Sequence, residues 1–442
     1  MILFAPVAAL MAVALTSPAL VLPFYSGLFL ERMAAFIKLY FPMFLLGAIF
    51  GKLVELSGFA QAIIRAVVRL AGPEKAILAI VLACAILTYG GVSLFVVVFA
   101  VYPFAAGMFR AAGIPKRLIP ATIALGAFTF TMDALPGSPQ VQNLIPTAFF
   151  QTTAWAAPVM GTVGGLFILT AGMLYLEWRR RQAARAGEGY GDGHRNEPLA
   201  VPQEALPPAL LAVLPLIAVG VLNRVVGQWL RTSYGKSFDF ASAGVAGVQP
   251  IEIERVAATW AVEIALLAAI LMVLPFAWQR ARSGLASGSQ VAVAGAMLAS
   301  MNTASEYGFG AVIAALPGFQ AVNTAVSHAI RDPLLNLAAT VNALSAITGS
   351  SSGGLSLALA ATGSSYLEMA RTAGIPAEVL HRVAAMASGG LDTLPHNGAI
   401  ITLLVVTGLT HRQAYKDIFA MTGIKVAAVL VAIAFYRVFH MG

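Results

Sequence analysis

Two nine-residue stretches restrict the fold more than anything else in this chain. Thr131-Met132-Asp133-Ala134-Leu135-Pro136-Gly137-Ser138-Pro139 lies in the first half, and Gly390-Leu391-Asp392-Thr393-Leu394-Pro395-His396-Asn397-Gly398 lies near the end. Each sets an aspartate, a proline and a glycine inside sequence otherwise apolar enough for lipid. Charge and helix breakers at membrane depth persist only where protein or a cavity satisfies the groups they free. Their recurrence about 260 residues apart points to a duplicated unit with a site between the copies.

Composition supports the membrane setting. Hydrophobic residues make up 59% of the 442 and charged residues only 10%, against about a quarter in a soluble domain. The single cysteine, Cys84, excludes a disulfide framework within the chain and any cysteine-based metal cluster. A net charge of +8 invites a nucleic-acid reading. The basic residues, however, cluster in short loops between apolar runs, which is the positive-inside bias of a multispanning protein. The opening Met1-Ile2-Leu3-Phe4 carries no charged leader and is expected to begin a first span rather than a cleaved signal.

Apolar runs fall near 2–22, 34–56, 157–177, 208–225, 256–277, 288–312 and 418–438. Two further stretches, 76–110 and 333–370, are too long for one span, and small residues interrupt each at Thr88–Ser93 and Thr348–Ser356. Arms shorter than the roughly 20 residues a crossing needs predict re-entrant helical hairpins with their tips at a cavity. Arg110-Ala111-Ala112-Gly113-Ile114-Pro115 follows the first, and Arg371-Thr372-Ala373-Gly374-Ile375-Pro376 the second. Crossings over 117–153 and 377–409 come next, each broken by the Asp-x-Leu-Pro phrase. Three matches in the same order are strong evidence of duplication.

The expected fold is therefore an all-α polytopic membrane protein. It has two inverted-topology repeats, each with a re-entrant hairpin and a discontinuous transmembrane helix. The expected division is a first half over 1–178, a cytoplasmic linker over 179–207, scaffold spans over 208–287 with an external segment 226–255, and a second repeat over 288–442. Arg179, Arg180, Arg181 and Arg185 place the linker, and with it the N-terminus, in the cytoplasm. His328, Arg331 and Asp332 are expected to anchor hairpin 2 at the outer surface.

Hairpin tips and broken helices bring helix termini to mid-membrane, where exposed N–H groups can hold an anion. The candidate ligand groups are Gly90, Gly91, Ser93, Ser138, Gln140, Gln142 and Asn143 in the first repeat. Ser350, Ser351, Ser352, Gly353, Ser356, His396 and Asn397 are those of the second. Helix capping and hairpin packing are the plain alternatives. Asp133 and Asp392 are candidates for proton coupling or, equally, ordinary N-caps. His396 suits a proton relay. Glu306 and the pair Lys52/Glu55 are candidate gates, with interface snorkelling the commoner role. Glu263 receives no role. No arginine occurs in the tips or breaks, so a di- or tricarboxylate lacks a clamp. The expected ligand is a small monoanion with hydroxyls.

Two other chemistries fall away. Gly349-Ser350-Ser351-Ser352-Gly353 fits G-x-S-x-G, but that pattern needs a strand-to-helix elbow. No G-x-x-x-x-G-K-[ST] is present to drive an ATP-dependent pump. The chain is not expected to be an enzyme.

The stretch Gly47-Ala48-Ile49-Phe50-Gly51-Lys52-Leu53-Val54-Glu55-Leu56-Ser57-Gly58 resembles the early span of the gluconate permease family. The run from Ala387 through Gly398 is similar to the hydroxybutyrate-permease-like branch. The resemblance implies an ion-transporter-superfamily carrier with elevator-type movement in the inner membrane. It implies import of gluconate-type sugar acids or 3-hydroxybutyrate by proton symport. The sodium-coupled relatives use Ser-Asn-Thr at tips and breaks, whereas these tips read Gly90-Gly91-Val92-Ser93 and Gly353-Gly354-Leu355-Ser356. Sodium-coupled carboxylate symport and, behind it, a passive anion channel remain the alternatives. No cofactor or metal is expected beyond the proton gradient. The expected partners are the anion, membrane lipid and, through the scaffold helices, a second copy of the chain. Nucleic acid is not among them.

Overall fold

A computed structural model describes residues 2–198, 206–245, 247–319, 321 and 330–442, and helices make up most of it. In hydrocarbon every backbone polar group must be bonded internally, which leaves helices as the open-ended option. Among the described residues, six helices are long and apolar enough to cross a membrane. They are Pro18–Leu56, Leu94–Ala111, Pro158–Arg185, Ala209–Tyr234, Ile253–Arg280 and His411–Phe439. A two-residue antiparallel ribbon pairs Ser237 with Glu252 and Phe238 with Ile251, joining two of these helices outside the bundle.

Both hairpins form. The first runs Ala76–Tyr89 and returns as Leu94–Ala111; the second runs Pro333–Thr348 and returns as Ser351–Thr372. The outgoing arms of 14 and 16 residues extend only about 21 and 24 Å at 1.5 Å per residue, short of the roughly 30 Å hydrocarbon core. Gly91 (φ +93°) and Gly349 (φ +63°) turn the two tips in the left-handed region that L side chains avoid. Asp332 accepts from the backbone N–H of Leu334 and Leu335 and so caps the second hairpin at its start. His328 lies outside the described residues.

The breaks also form. Ile119–Ala127, Phe130–Asp133 and Val141–Phe150 make the first discontinuous crossing; Ala377–Ser388 and Gly398–Thr407 make the second. The repeats then exchange contacts reciprocally. Val141–Phe150 packs on the returning arm of hairpin 2 and on Ala377–Ser388. Its counterpart Gly398–Thr407 packs on the returning arm of hairpin 1 and on Ile119–Ala127. Equivalent helices also pair with each other, Glu31–Leu56 with Leu285–Ala314 and Pro158–Arg185 with His411–Phe439. Such pairing of like with like is what a two-fold axis between inverted copies produces.

Several expectations need correcting. The run near 2–22 is not one span: the first helix is Phe4–Thr16, and a new helical path runs through Tyr25–Leu30 into Glu31–Leu56. Within 226–255, helix continues to Tyr234 and resumes at Ile253. The returning hairpin arms have 18 and 22 residues, longer than the apolar runs suggested. Phe59–Ala71 is a helix that a hydropathy window passes over, because Gln61, Arg65 and Arg69, spaced four apart, make one of its faces polar. Arg179 is not a free loop charge. It is 9% exposed and donates to the buried Asp417 carboxylate at 2.6 Å.

Lipid supplies no hydrophobic force between helices, so close approach of small residues holds such bundles together. Gly354 faces the backbone N and Cα of Ser345 in the opposite arm so closely that a methyl group would strike both. Gly354→Ala is expected to destabilise the protein by about 1–3 kcal/mol by forcing the arms of hairpin 2 apart. Thermal unfolding in detergent measures this; a melting temperature equal to that of the wild type would mean the arms separate without cost.

Candidate transport site at the paired helix breaks

The first break begins where Thr129 leaves helical geometry, and Asp133 ends the four-residue helix that follows. The Tyr89 hydroxyl donates to Pro136 O at 2.7 Å, pinning the loop to hairpin 1. The second break opens at Gly389-Gly390 and closes where Asn397 caps the next helix through the Ala399 N–H. Neither aspartate is a helix cap, which removes the structural role offered for them above.

Asp133 and Asp392 instead converge on one lysine. Lys425, 1% exposed in the last helix, donates to Asp392 Oδ1 and to Phe128 O, both at 2.8 Å. Asp133 is equally buried, and neither carboxylate oxygen has a hydrogen-bond partner. A methyl built on Gly389 would strike Asp133 Oδ2 and come within 3.0 Å of Lys425 Cε, so both groups press against the same glycine. Lys425, Asp392 and Arg382 are the charges within electrostatic reach of Asp133. An unpartnered buried carboxylate is costly unless something else completes the site.

A polar path runs from this cluster to hairpin 2. Gln142 Nε2 donates to Ser351 Oγ at 2.8 Å, and Ser351 also faces the Asp392 carboxylate. Gln142 Oε1, Asn342 Oδ1, Ser345 Oγ and Ser356 Oγ are buried without partners. Glu306, 3% exposed, has an unpartnered Oε2 that lies directly against Gly353 at the start of the returning arm. Ser350 is spent as the cap of that arm, accepting from Gly353 N at 3.0 Å. Thr303 Oγ1 and Ser352 Oγ lie 3.4 Å apart beside it.

Other candidates are placed differently. Gly90 is covered by Leu216, and Gly91 by Pro139 with Leu266 and Val219 behind it, so tip 1 is closed by scaffold helices. Ser93 is half-buried and makes no side-chain cap. Ser138 donates to Thr131 O at 2.7 Å. Gln140 clips the first break to tip 1 through Thr88 O at 2.8 Å. Asn143 donates to Ser138 O and Ala154 O while accepting from Arg382. Asn397 spends its amide on Asp392 O. His396 is exposed and bonded to Ala346 O at 2.9 Å, on the outer side of tip 2. Lys52 and Glu55 pair with each other at 2.8 Å, both half-buried.

Sequence reasoning missed Lys425, Arg382 and His381, although each is a polar residue inside an apolar crossing, which is itself a functional signal. Arg382 corrects the statement that no arginine serves the breaks. It sits in the second crossing and reaches into the first, bonding Asp133 O, Asn143 Oδ1, Ala154 O and Ala156 O. Its fork is filled by carbonyl groups and leaves nothing for a second carboxylate on a ligand.

Inverted repeats with paired hairpins and breaks, enclosing buried acids at the centre of a multi-pass bundle, define a membrane transporter. Comparison narrows the class. The chain is 56% identical over 443 residues to a Bacillus subtilis (strain 168) protein named "Uncharacterized transporter YxjC", covering 98% of this chain and 94% of that one. It belongs to the same transporter family. Its fold is similar to that of the Alcanivorax borkumensis YdaH transporter, whose crystal structure is described as having an unusual topology. That likeness has a TM-score of 0.60 at 13% identity, over 97% of this chain and 90% of the other. No family model matches the sequence.

Proposed function

We propose that the protein is a secondary active transporter importing a small hydroxy-monocarboxylate, a gluconate-type sugar acid or 3-hydroxybutyrate, by proton symport across the bacterial inner membrane. One observation carries this reading: acids from opposite repeats are buried around a single lysine, and one of them is unpartnered. Lys425 balances one carboxylate. The other, Asp133, accepts no hydrogen bond and faces Arg382 only at a distance, so a proton would satisfy it. Because an ammonium already stands beside Asp392, the arrangement favours a proton over a sodium ion. The open hydrogen-bonding groups of Gln142, Asn342, Ser345 and Ser356 suit a ligand rich in hydroxyls. The hairpins and broken helices would then shift as a unit against the helices Ala209–Tyr234 and Ile253–Ala281, with the linker in the cytoplasm and the scaffold available for dimerisation.

Sodium coupling is the second reading. It draws on the Glu306 carboxylate among the hydroxyls of Thr303, Ser350 and Ser352, a set of hard oxygens. Uptake of labelled gluconate and 3-hydroxybutyrate into proteoliposomes separates the two. An inward proton gradient is expected to drive accumulation without sodium, and Asp133→Ala and Asp392→Ala are each expected to abolish it. Accumulation intact in both variants would refute the coupling assignment, and a strict sodium requirement would favour Glu306.

A further inference from the structure

Beside the first break, the helices Ala209–Tyr234 and Ile253–Ala281 and the turn 153–158 line a partly open cavity of about 280 Å³. No acid lines it, but two arginines do. The Arg224 guanidinium lies 5.1 Å from the centre of the Trp155 ring. Stacking on a ring face holds a guanidinium while leaving its N–H edges free for a bidentate acceptor. Arg231 spends one N–H on Thr152 O at 3.0 Å. Asn223 is 4% exposed, and its Nδ2 has no partner; the buried Trp155 Nε1 has none either. Two cations and two orphaned buried donors around one space call for an acceptor.

We propose that this cavity binds an oxyanion, carboxylate or phosphate, at a second site distinct from the paired aspartates. Arg224 lies fifteen residues into its helix, about 22 Å from the linker end at 1.5 Å per residue. Arg224 and Arg231 therefore both lie in the half of this 26-residue helix farther from the linker. Its wall is also part of the first break: Ala154 O accepts from Gly137 N at 2.8 Å, and the Trp155 ring covers Gly137. An anion held here therefore lies against the turn that touches the loop of the first break. Its role as a loading station rests on the transport reading, but the binding itself does not.

Tryptophan fluorescence of the protein in nanodiscs tests this. Gluconate and inorganic phosphate are the soluble probes, and phosphatidylglycerol against phosphatidylcholine discs is the lipid probe. At least one probe is expected to change the emission of the wild type and not that of Trp155→Phe. Arg224→Gln and Arg231→Gln are each expected to weaken the response about tenfold, the loss of one charge-assisted contact apiece. The near-isosteric Asn223→Asp, which places a negative charge in the cavity without changing its size, should weaken it too. A response to soluble anions identifies a solute site. A response to phosphatidylglycerol alone identifies a lipid headgroup as the oxyanion. No response to any probe, or one unchanged in the arginine and Asn223 variants, overturns the proposal. Binding retained in a wild type that fails to accumulate substrate would sink the transport reading and leave this site standing.

Discussion

Arg382→Leu is expected to destabilise the folded protein by about 3–5 kcal/mol, the cost of removing one partner from a buried charged network. Arg382 is fully buried and joins the second crossing to the first through four acceptors on the opposite repeat. The shortest of these bonds, Nη2 to Ala156 O, is 2.7 Å. Leucine would leave those oxygens without donors in a region where water cannot replace them. Next to it, His381 Nδ1 and Thr152 Oγ1 are 2.7 Å apart, so the same turn loses a second support if the crossing shifts. Arg382→Lys keeps the charge but cannot fork, and is expected to fall between wild type and leucine. Chemical denaturation in detergent checks the order. A leucine variant as stable as the wild type would show that the repeats are held together elsewhere.

Asp417→Asn is expected to be comparably damaging, at about 3–5 kcal/mol. Asp417 is 1% exposed and accepts from Arg179 Nε at 2.6 Å, Tyr175 OH at 2.8 Å and Arg117 Nη1 at 3.0 Å. Asparagine keeps the shape and removes the carboxylate that ion-pairs directly with the buried Arg179 guanidinium. Arg117 would keep a partner, since it also forks onto Glu188 at 2.7 Å on both oxygens and holds that carboxyl below its usual range. Arg179 would not keep an ion pair. The loss should therefore appear mainly in the packing of Pro158–Arg185 on His411–Phe439, read as faster amide exchange in those helices. Exchange confined to the linker instead would assign the network to the linker alone.

Hydropathy and punctuation carried the architecture. Pro136 with Gly137, and Gly389-Gly390 with Pro395, break helices because proline lacks the donor and glycine the constraint that continuation needs. Boundaries were less legible. Helix runs through 23–33 despite Glu31 and Arg32, because charges in a helix at the membrane interface cost little. The site was half legible. The aspartates and Ser351 could be singled out locally, while Asn143, Ser138 and Asn397 look the same in sequence and are spent on backbone.

Sequence alone determined that the chain spans a membrane, that it is built twice, and where each copy breaks, since burial cost and backbone satisfaction act within a single segment. Which charges face each other depended on contacts between segments hundreds of residues apart. Only the tertiary structure could decide that Lys425 answers Asp392, that Arg382 serves the opposite repeat, and that Asp133 is left without a partner.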